Sequence, residues 1–178
     1  MEKEFTITVF SENQTGLLQR IVAVFTRRHI NIESLTVSKS SIPGIHRFTI
    51  VVNVTEDMVH KLVAQLDKQV DVLKAFHYER EGIVFQEIAL YKVPTSAFNN
   101  GDSVERLIRA HNARILVIEP DYVVIEKTGH ASETEALLQE LEKIGIYEFA
   151  RSGRIAIVKA MERLNTYLKD MDIQINHR

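Results

Sequence analysis

A short polar turn with one glycine, residues 13–16, lies directly before two leucines, and these residue types could bind a small ligand. Gly16 has no side chain, so the backbone there can approach a ligand closely. The first backbone N–H groups of a helix lack intrahelical acceptors and attract anions such as a carboxylate. Asn13 can both donate and accept hydrogen bonds, and Leu17 and Leu18 add an apolar surface. The stretch therefore fits a ligand with a carboxylate at one end and an aliphatic group at the other, such as a free branched-chain amino acid.

Asparagine and glycine are also ordinary turn residues, and the spacing of Asn13 and Gly16 alone favours that simpler interpretation. A second asparagine, Asn31, stands at the start of the next predicted strand. We expect it to lie near the same end of the sheet as Asn13.

The sequence contains none of the motifs that carry the best-known catalytic mechanisms. It has no G-x-x-x-x-G-K-[ST] loop, G-x-G-x-x-G turn, H-E-x-x-H helix or G-x-S-x-G turn. The seven histidines are scattered, and no two have ligand spacing on one helix face. Acidic residues are plentiful, but their spacing forces no pair onto one apolar face. We therefore expect no catalytic residue, no metal site and no cofactor in this chain.

Composition places the chain among cytoplasmic globular proteins. Of its 178 residues, 45% are hydrophobic and 26% are charged, which is enough to build a packed core. The formal net charge is −2 with both signs interspersed, which argues against nucleic acid as a partner. No apolar run is long enough to span a membrane, and cysteine is absent, which excludes disulfides and thiolate chemistry.

The first half of the chain alternates strand and helix patterns in the order strand–helix–strand–strand–helix–strand. Residues 5–10 alternate apolar and threonine side chains, which predicts a strand with one buried face. Thr55 is expected to cap the second helix. Strands are predicted at residues 5–10, 31–38, 45–54 and 70–78, and apolar helix stripes at Leu17, Leu18, Ile21, Val22 and Phe25 and at Val59, Leu62, Val63 and Leu66.

The second half repeats this order after a polar break at residues 79–82, with Asp102 or Ser103 as the first helix cap. Ser132 and Glu135 fit a capping box for the second helix, and Gly145 ends that helix. Strands are predicted at residues 84–93, 114–118, 122–127 and 155–159.

The predicted fold is thus α+β, with two tandem ferredoxin-like βαββαβ domains in residues 1–80 and 81–160. Residues 161–178 form a predicted amphipathic tail with two short heptads, which either folds onto its own domain or docks on a partner chain.

Longer stretches of the chain resemble the small regulatory subunit of acetohydroxyacid synthase (acetolactate synthase). The resemblance is specific in residues 31–37, Asn-Ile-Glu-Ser-Leu-Thr-Val, and covers nearly the full length. The Asn-x-x-Gly-Leu part alone is a general signature of ACT domains. The resemblance is carried by residues 12–18, 25–28, 31–37, 47–50, 70–73 and 150–153.

The family resemblance implies an N-terminal ACT domain for effector binding and a C-terminal ferredoxin-like domain. It also implies a homodimer that binds valine, leucine or isoleucine between its ACT domains. The partner is a catalytic subunit that holds thiamine diphosphate, magnesium and FAD, and this chain activates it and confers feedback inhibition. By position, the effector-binding residues are Asn13, Gly16, Leu17, Leu18, Asn31 and Ile32.

The stretch Arg154-Ile155-Ala156 departs from the family pattern, in which small and aliphatic residues are common there. Two other functions stay open at this stage. One is an ACT-type amino-acid sensor that regulates a different enzyme, and the other is an enzyme whose site is assembled across a dimer.

Overall fold

The structure is a computed structural model that describes residues 1–99 and 103–159 of the chain. It divides into two compact units, one of residues 1–84 with the described residues from Arg154 onward, and one of Phe85–Gly153. The predicted cap Asp102 and the predicted tail, residues 161–178, lie outside the described residues. The predicted domain limits after residues 80 and 160 stay predictions.

The first unit is a four-stranded antiparallel sheet whose core side packs against two helices. The strands have the order β2-β3-β1-β4, so β2 and β4 are the edges. The predicted βαββαβ order is confirmed. In chain order the elements are β1 (Lys3–Glu12), α1 (Leu17–Thr26), β2 (Ser34–Lys39), β3 (Ile45–Val54), α2 (Glu56–Leu66) and β4 (Val72–Tyr78), followed by a 3-10 turn (Arg80–Gly82).

The second unit repeats this topology, with the sheet order β6-β7-β5-β8. The α+β class with two ferredoxin-like units is confirmed. The elements from residue 83 onward are β5 (Ile83–Pro94), a 3-10 turn (Thr95–Asn99), α3 (Ser103–Ala110), β6 (Arg114–Ile118), β7 (Tyr122–Gly129), α4 (Ala131–Glu142), β8 (Glu148–Arg151) and β9 (Ile155–Val158).

The fourth strand of the second unit is β8, and the predicted final strand at residues 155–159 is an additional one. The β8 sequence, Glu-Phe-Ala-Arg, has no run of β-branched residues and pairs with β5 through its backbone. The Tyr147 N–H donates to the Lys92 carbonyl at 2.8 Å and brings the chain onto β5. The more apolar β9 follows Arg154, which belongs to the first unit.

Strand β1 is buried on both faces, so the prediction of a half-buried strand is wrong. The apolar face that begins at Phe5 lies in the core, as predicted. On the other face, Thr6 and Thr8 are also buried, and they are only 1% and 2% exposed. The Arg154 guanidinium lies against this second face at Thr6. It donates to Thr6 Oγ1 at 2.8 Å, and it lies 2.9 Å from a carboxylate oxygen of Glu4.

Besides the cap at Asp102 or Ser103, three helix ends were predicted, and the structure corrects one of them. Thr55 caps α2, with Oγ1 accepting the Met58 N–H at 3.3 Å. Gly145 follows α4 with φ +105 and donates its N–H to the Leu141 carbonyl.

The predicted capping box at Ser132 and Glu135 is wrong, because α4 begins two residues earlier than its sequence suggests. Its cap is His130, and the Glu133 carboxylate accepts the His130 N–H at 2.7 Å. This backbone hydrogen bond lowers the pKa of Glu133. Histidine is an uncommon cap, which is why the serine was the more obvious candidate.

Tyr91 is the largest fully buried side chain among the described residues, and its hydroxyl donates to the Thr134 carbonyl at 2.6 Å. The bond ties β5 to α4 in the core of the second unit. Burial raises the pKa of Tyr91 to about 12 from an ordinary value of 10.0.

Tyr91→Phe should lower the free energy of unfolding by about 1 kcal/mol at neutral pH, because it removes one buried hydrogen bond. The folded chain keeps Tyr91 protonated to a higher pH than the unfolded chain. Its stabilising effect is therefore complete below pH 10.0 and declines as the pH rises towards about 12. Urea unfolding of both proteins at neutral pH and at about pH 11 measures their free energies of unfolding. The stability gap between them should narrow at the higher pH, and a constant gap would contradict this assignment.

Candidate effector site at the start of the first helix

The loop between β1 and α1 is fixed by backbone hydrogen bonds to two neighbouring turns. The Glu12 N–H donates to the Asp71 carbonyl at 2.9 Å, just before β4 begins. The Asn13 N–H donates to the Gly44 carbonyl at 3.1 Å, in the turn between β2 and β3. Three connections therefore meet at one end of the first sheet, and they hold the polar turn in a defined position.

Gly16 caps α1 in a left-handed conformation, with φ +82 and ψ −4. A Cβ atom built at this position would meet no other atom within 4 Å, so the space beside Gly16 is open. No side chain caps the helix. Among the described residues, the N–H groups of Leu18 and Gln19 have no hydrogen-bond acceptor. The tip thus offers two backbone donors in a region of positive potential from the helix dipole.

The two leucines at this tip have different environments. Leu17 is 2% exposed and packs in the core of the first unit, whereas Leu18 is 46% exposed. Only the Leu18 side chain can therefore offer apolar surface to a ligand from outside. The Leu17 N–H already donates to the Gln14 carbonyl at 3.3 Å, so the free backbone donors of the tip come from the two residues after it.

Asn31 and Ile32 precede β2, which begins at Ser34. Strands β1 and β2 each pair antiparallel with β3 and therefore run in the same direction. Through β3, Ser34 is aligned with Thr6 near the start of β1, whereas Lys39 is aligned with Ser11 near its end. The start of β2 therefore lies at the end of the sheet opposite the polar turn.

The expectation that Asn31 lies near Asn13 is thus wrong within one chain. Because β1 and β2 are parallel, Asn31 precedes the start of β2 whereas Asn13 follows the end of β1. The five steps of β2 alone span roughly 17 Å. Asn31 Nδ2 donates to Glu33 Oε1 at 3.2 Å, and Ile32 is partly buried against the core. The predicted effector residues form two separate groups, Asn13, Gly16, Leu17 and Leu18 in one and Asn31 and Ile32 in the other.

Two polar features near the turn were not singled out from the sequence. Arg20, in the second turn of α1, forms an ion pair with Asp71 at 2.7 Å. Asp71 lies between two valines in a strand-like pattern, which could have marked it as unusual. The Ser11 hydroxyl is fully buried and has no hydrogen-bond partner among the described residues. These groups make the surroundings of the turn more polar than its leucines suggest.

Metal and membrane signals are absent from the described part of the chain. No group of three or more histidine or acidic side chains there is arranged to hold a metal ion. His60 and His77 do meet, with ring centroids 4.6 Å apart, although they come from α2 and β4. Burial, and secondarily the charge of His60, lower the pKa of His77. No described helix is long and apolar enough to cross a membrane.

Comparisons with known proteins give one consistent result. Residues 7–74 match the family model described as an AHAS small subunit-like ACT domain, and residues 86–160 match the model of the small subunit of acetolactate synthase. The acetolactate synthase small subunit of Bacillus subtilis is 37% identical over 97% of this chain and 99% of its own length. A probable small subunit from Methanothermobacter thermautotrophicus is 33% identical over 85% of this chain and 90% of its own length.

A solved structure agrees with these sequence matches. The crystal structure of the acetolactate synthase small subunit from Thermotoga maritima has a TM-score of 0.81 and 27% sequence identity. It covers 89% of this chain and 99% of its own. The similarity therefore extends over both units.

Proposed function

The chain belongs to the family of acetolactate synthase small subunits, and from that premise we propose that it regulates a branched-chain amino acid biosynthetic enzyme. It binds valine, or leucine or isoleucine, and activates a catalytic subunit on which it confers feedback inhibition. The reaction itself takes place on that catalytic subunit, which we expect to hold thiamine diphosphate, magnesium and FAD. This chain contributes no catalytic residue and holds no cofactor.

The open helix tip at Gly16 is the observation that carries the proposal. The N–H groups of Leu18 and Gln19 and the open space beside Gly16 suit a carboxylate. The exposed Leu18 side chain suits the aliphatic end of the same ligand. The exposed Asn13 can bind the ammonium or the carboxylate group.

A second copy of the chain would bring Asn31 to this tip. Strand β2 is an edge of the first sheet, and its Val37 side chain is 40% exposed. If two β2 strands pair antiparallel about a two-fold axis, the start of one lies beside the end of the other. Asn31 and Ile32 of one copy then lie at the polar-turn end of its neighbour. This arrangement supports a shared effector site, which a single chain does not form.

Effector binding at a shared site changes the activity of the catalytic subunit through the arrangement of the dimer. An effector between two protomers stabilises the dimer arrangement for which it has the higher affinity, and only that difference can alter the catalytic subunit. A coupling free energy of about 1–3 kcal/mol is typical and gives graded inhibition. Discrimination among valine, leucine and isoleucine should be weak, because one methylene in an apolar pocket contributes about 1–3 kcal/mol.

The regulatory assignment is tested by adding the purified chain to purified acetolactate synthase catalytic subunit. We expect the two to co-purify and the rate of acetolactate formation to rise with the amount of chain added. The chain alone should show no turnover. Effector binding without any effect on this partner would instead indicate a sensor for a different enzyme, and turnover by the chain alone would refute the non-catalytic role.

A further inference from the structure

Asp71, in the connection between α2 and β4, is hydrogen-bonded on both sides of the polar turn. Its backbone carbonyl accepts the Glu12 N–H at 2.9 Å, directly before the turn. Its carboxylate accepts a hydrogen bond at 2.7 Å from the guanidinium of Arg20, which lies in α1 after the turn. The Arg20 N–H in turn donates to the Gly16 carbonyl at 3.2 Å and closes the first turn of the helix. One residue therefore connects the end of β1 to the start of α1.

The two helices of the first unit begin in different ways. Helix α2 has a side-chain cap at Thr55 and two acidic residues, Glu56 and Asp57, in its first turn. Within the described part of the chain, α1 has neither a side-chain cap nor an acidic residue there. Caps and acidic groups are the usual partners of the positive end of a helix, and without them the backbone donors of α1 remain available to a ligand. The Asp71 carboxylate instead stabilises the start of α1 through the Arg20 side chain.

The ion pair between Arg20 and Asp71 is partly withdrawn from water. The two side chains are 40% and 23% exposed, so the solvent screens the pair less than it screens a fully exposed one. Asp71 has φ +70, a left-handed conformation that is uncommon for residues with a Cβ atom but that aspartate and asparagine tolerate. This backbone conformation accompanies both contacts, one from the carbonyl and one from the side chain.

We propose that Asp71 is a positioning residue for effector binding and acts through Arg20. The ion pair holds the first turn of α1 in the orientation that presents the N–H groups of Leu18 and Gln19 to the ligand carboxylate. A site whose donors are already oriented loses less conformational freedom on binding, so its affinity is higher. Asp71 itself does not contact the ligand. The inference rests on the proposed function, because it concerns the same effector site.

Asp71→Asn removes the negative charge and keeps a side chain that tolerates the left-handed backbone. We expect the affinity of the full chain for valine, measured by calorimetric titration, to fall about tenfold, because a charged hydrogen bond is lost at a partly exposed position. Arg20→Gln should give the same loss, and the double variant should bind no more weakly than either single variant, since both changes remove one ion pair. Arg20→Lys keeps the charge and should retain the affinity to within about threefold.

A second ion pair of the first unit provides the matched control. Lys74 Nζ lies 2.8 Å from Asp67, and the two side chains are 36% and 26% exposed, close to the values for Arg20 and Asp71. Neither side chain is hydrogen-bonded to residues 12–20, all of which the structure describes. Urea unfolding should show similar losses of stability for Lys74→Gln and Arg20→Gln. Lys74→Gln should nevertheless keep the affinity for valine to within about twofold.

Amide hydrogen exchange measures the order of the helix start without any ligand. In the Asp71→Asn chain, exchange of the Arg20 N–H should be about tenfold faster than in the Lys74→Gln chain, because the first turn of α1 opens more often. The amides at the other end of α1 should exchange at the same rate in both chains. Equal exchange of the Arg20 N–H in the two variants would contradict the positioning role.

The outcomes separate this inference from the proposed function. A wild-type chain that binds no valine, leucine or isoleucine would refute the proposed function and this inference with it. Wild-type binding together with an unchanged or higher affinity in Asp71→Asn would overturn this inference alone. An equal loss of affinity in Lys74→Gln would also overturn it, because the ion pair would then act only through the stability of the fold.

Discussion

Gly16→Asp is expected to abolish the effector response while the chain still activates the catalytic subunit. The new carboxylate would occupy the open space beside the helix tip, where the ligand carboxylate is proposed to bind. Two like charges about 4 Å apart near a protein surface repel by about 4 kcal/mol. We therefore expect affinity for valine to fall at least about 100-fold, as measured by calorimetric titration of the purified variant.

Gly16→Asn is the matched control, because asparagine has nearly the shape of aspartate without its charge. Both variants carry the same cost of a non-glycine residue at φ +82, about 1–2 kcal/mol. Gly145→Asp, at φ +105 in the second unit, places the same strain far from the tip in sequence. If aspartate and asparagine at position 16 weaken valine binding equally, the ligand carboxylate does not bind beside Gly16. If Gly16→Asp also abolishes activation, the variant has misfolded or the site is wrong.

Arg154→Met should lower the free energy of unfolding of the chain by about 2 kcal/mol. The Arg154 side chain is 5% exposed, and its contacts include Thr6 Oγ1 at 2.8 Å and Glu4 at 2.9 Å. Its backbone N–H also donates to Ser34 Oγ at 3.0 Å. Methionine keeps the volume but removes the side-chain donors, which leaves the buried Thr6 hydroxyl without this partner. A hydrogen bond to a charged group contributes about 1.5–3 kcal/mol, and the 40% exposure of Glu4 reduces its share.

Urea unfolding measures this loss, and an exposed arginine provides the comparison. The Arg109 side chain is 80% exposed and lies 3.4 Å from Glu105, which is 53% exposed. Arg109→Met should therefore cost less than about 1 kcal/mol. Equal costs for the two variants would show that Arg154 does not fix the returning segment to β1.

The elements that could be predicted from the sequence are those with a strong apolar period or a clear cap. The alternation in β1 and the stripes of α1 and α2 marked these elements, and Thr55 marked a helix start. Strand β8 could not be found this way, because it is mostly exposed and is specified by its backbone pairing with β5. Local pattern also could not show that Thr6 is buried, since Arg154, a residue distant in sequence, contacts it.

The candidate site was predictable in its local part only. The turn at Asn13 to Gly16 and the helix that follows are local features, and the structure has them in the predicted place. The separation of Asn31 from this turn depends on the strand order β2-β3-β1, which no local pattern contains. The different exposure of Leu17 and Leu18 depends on how α1 is rotated against the sheet. Both features follow from packing between elements that are distant in sequence.

The most direct test of the central claim is a valine titration of the enzyme reconstituted from this chain and the acetolactate synthase catalytic subunit. We predict that acetolactate formation falls in a graded manner as valine is added, and that the catalytic subunit alone does not respond. The Gly16→Asp chain should keep its activating effect and lose the response to valine. A reconstituted enzyme whose rate does not change with valine, leucine or isoleucine would contradict the claim that this chain is the amino-acid receptor.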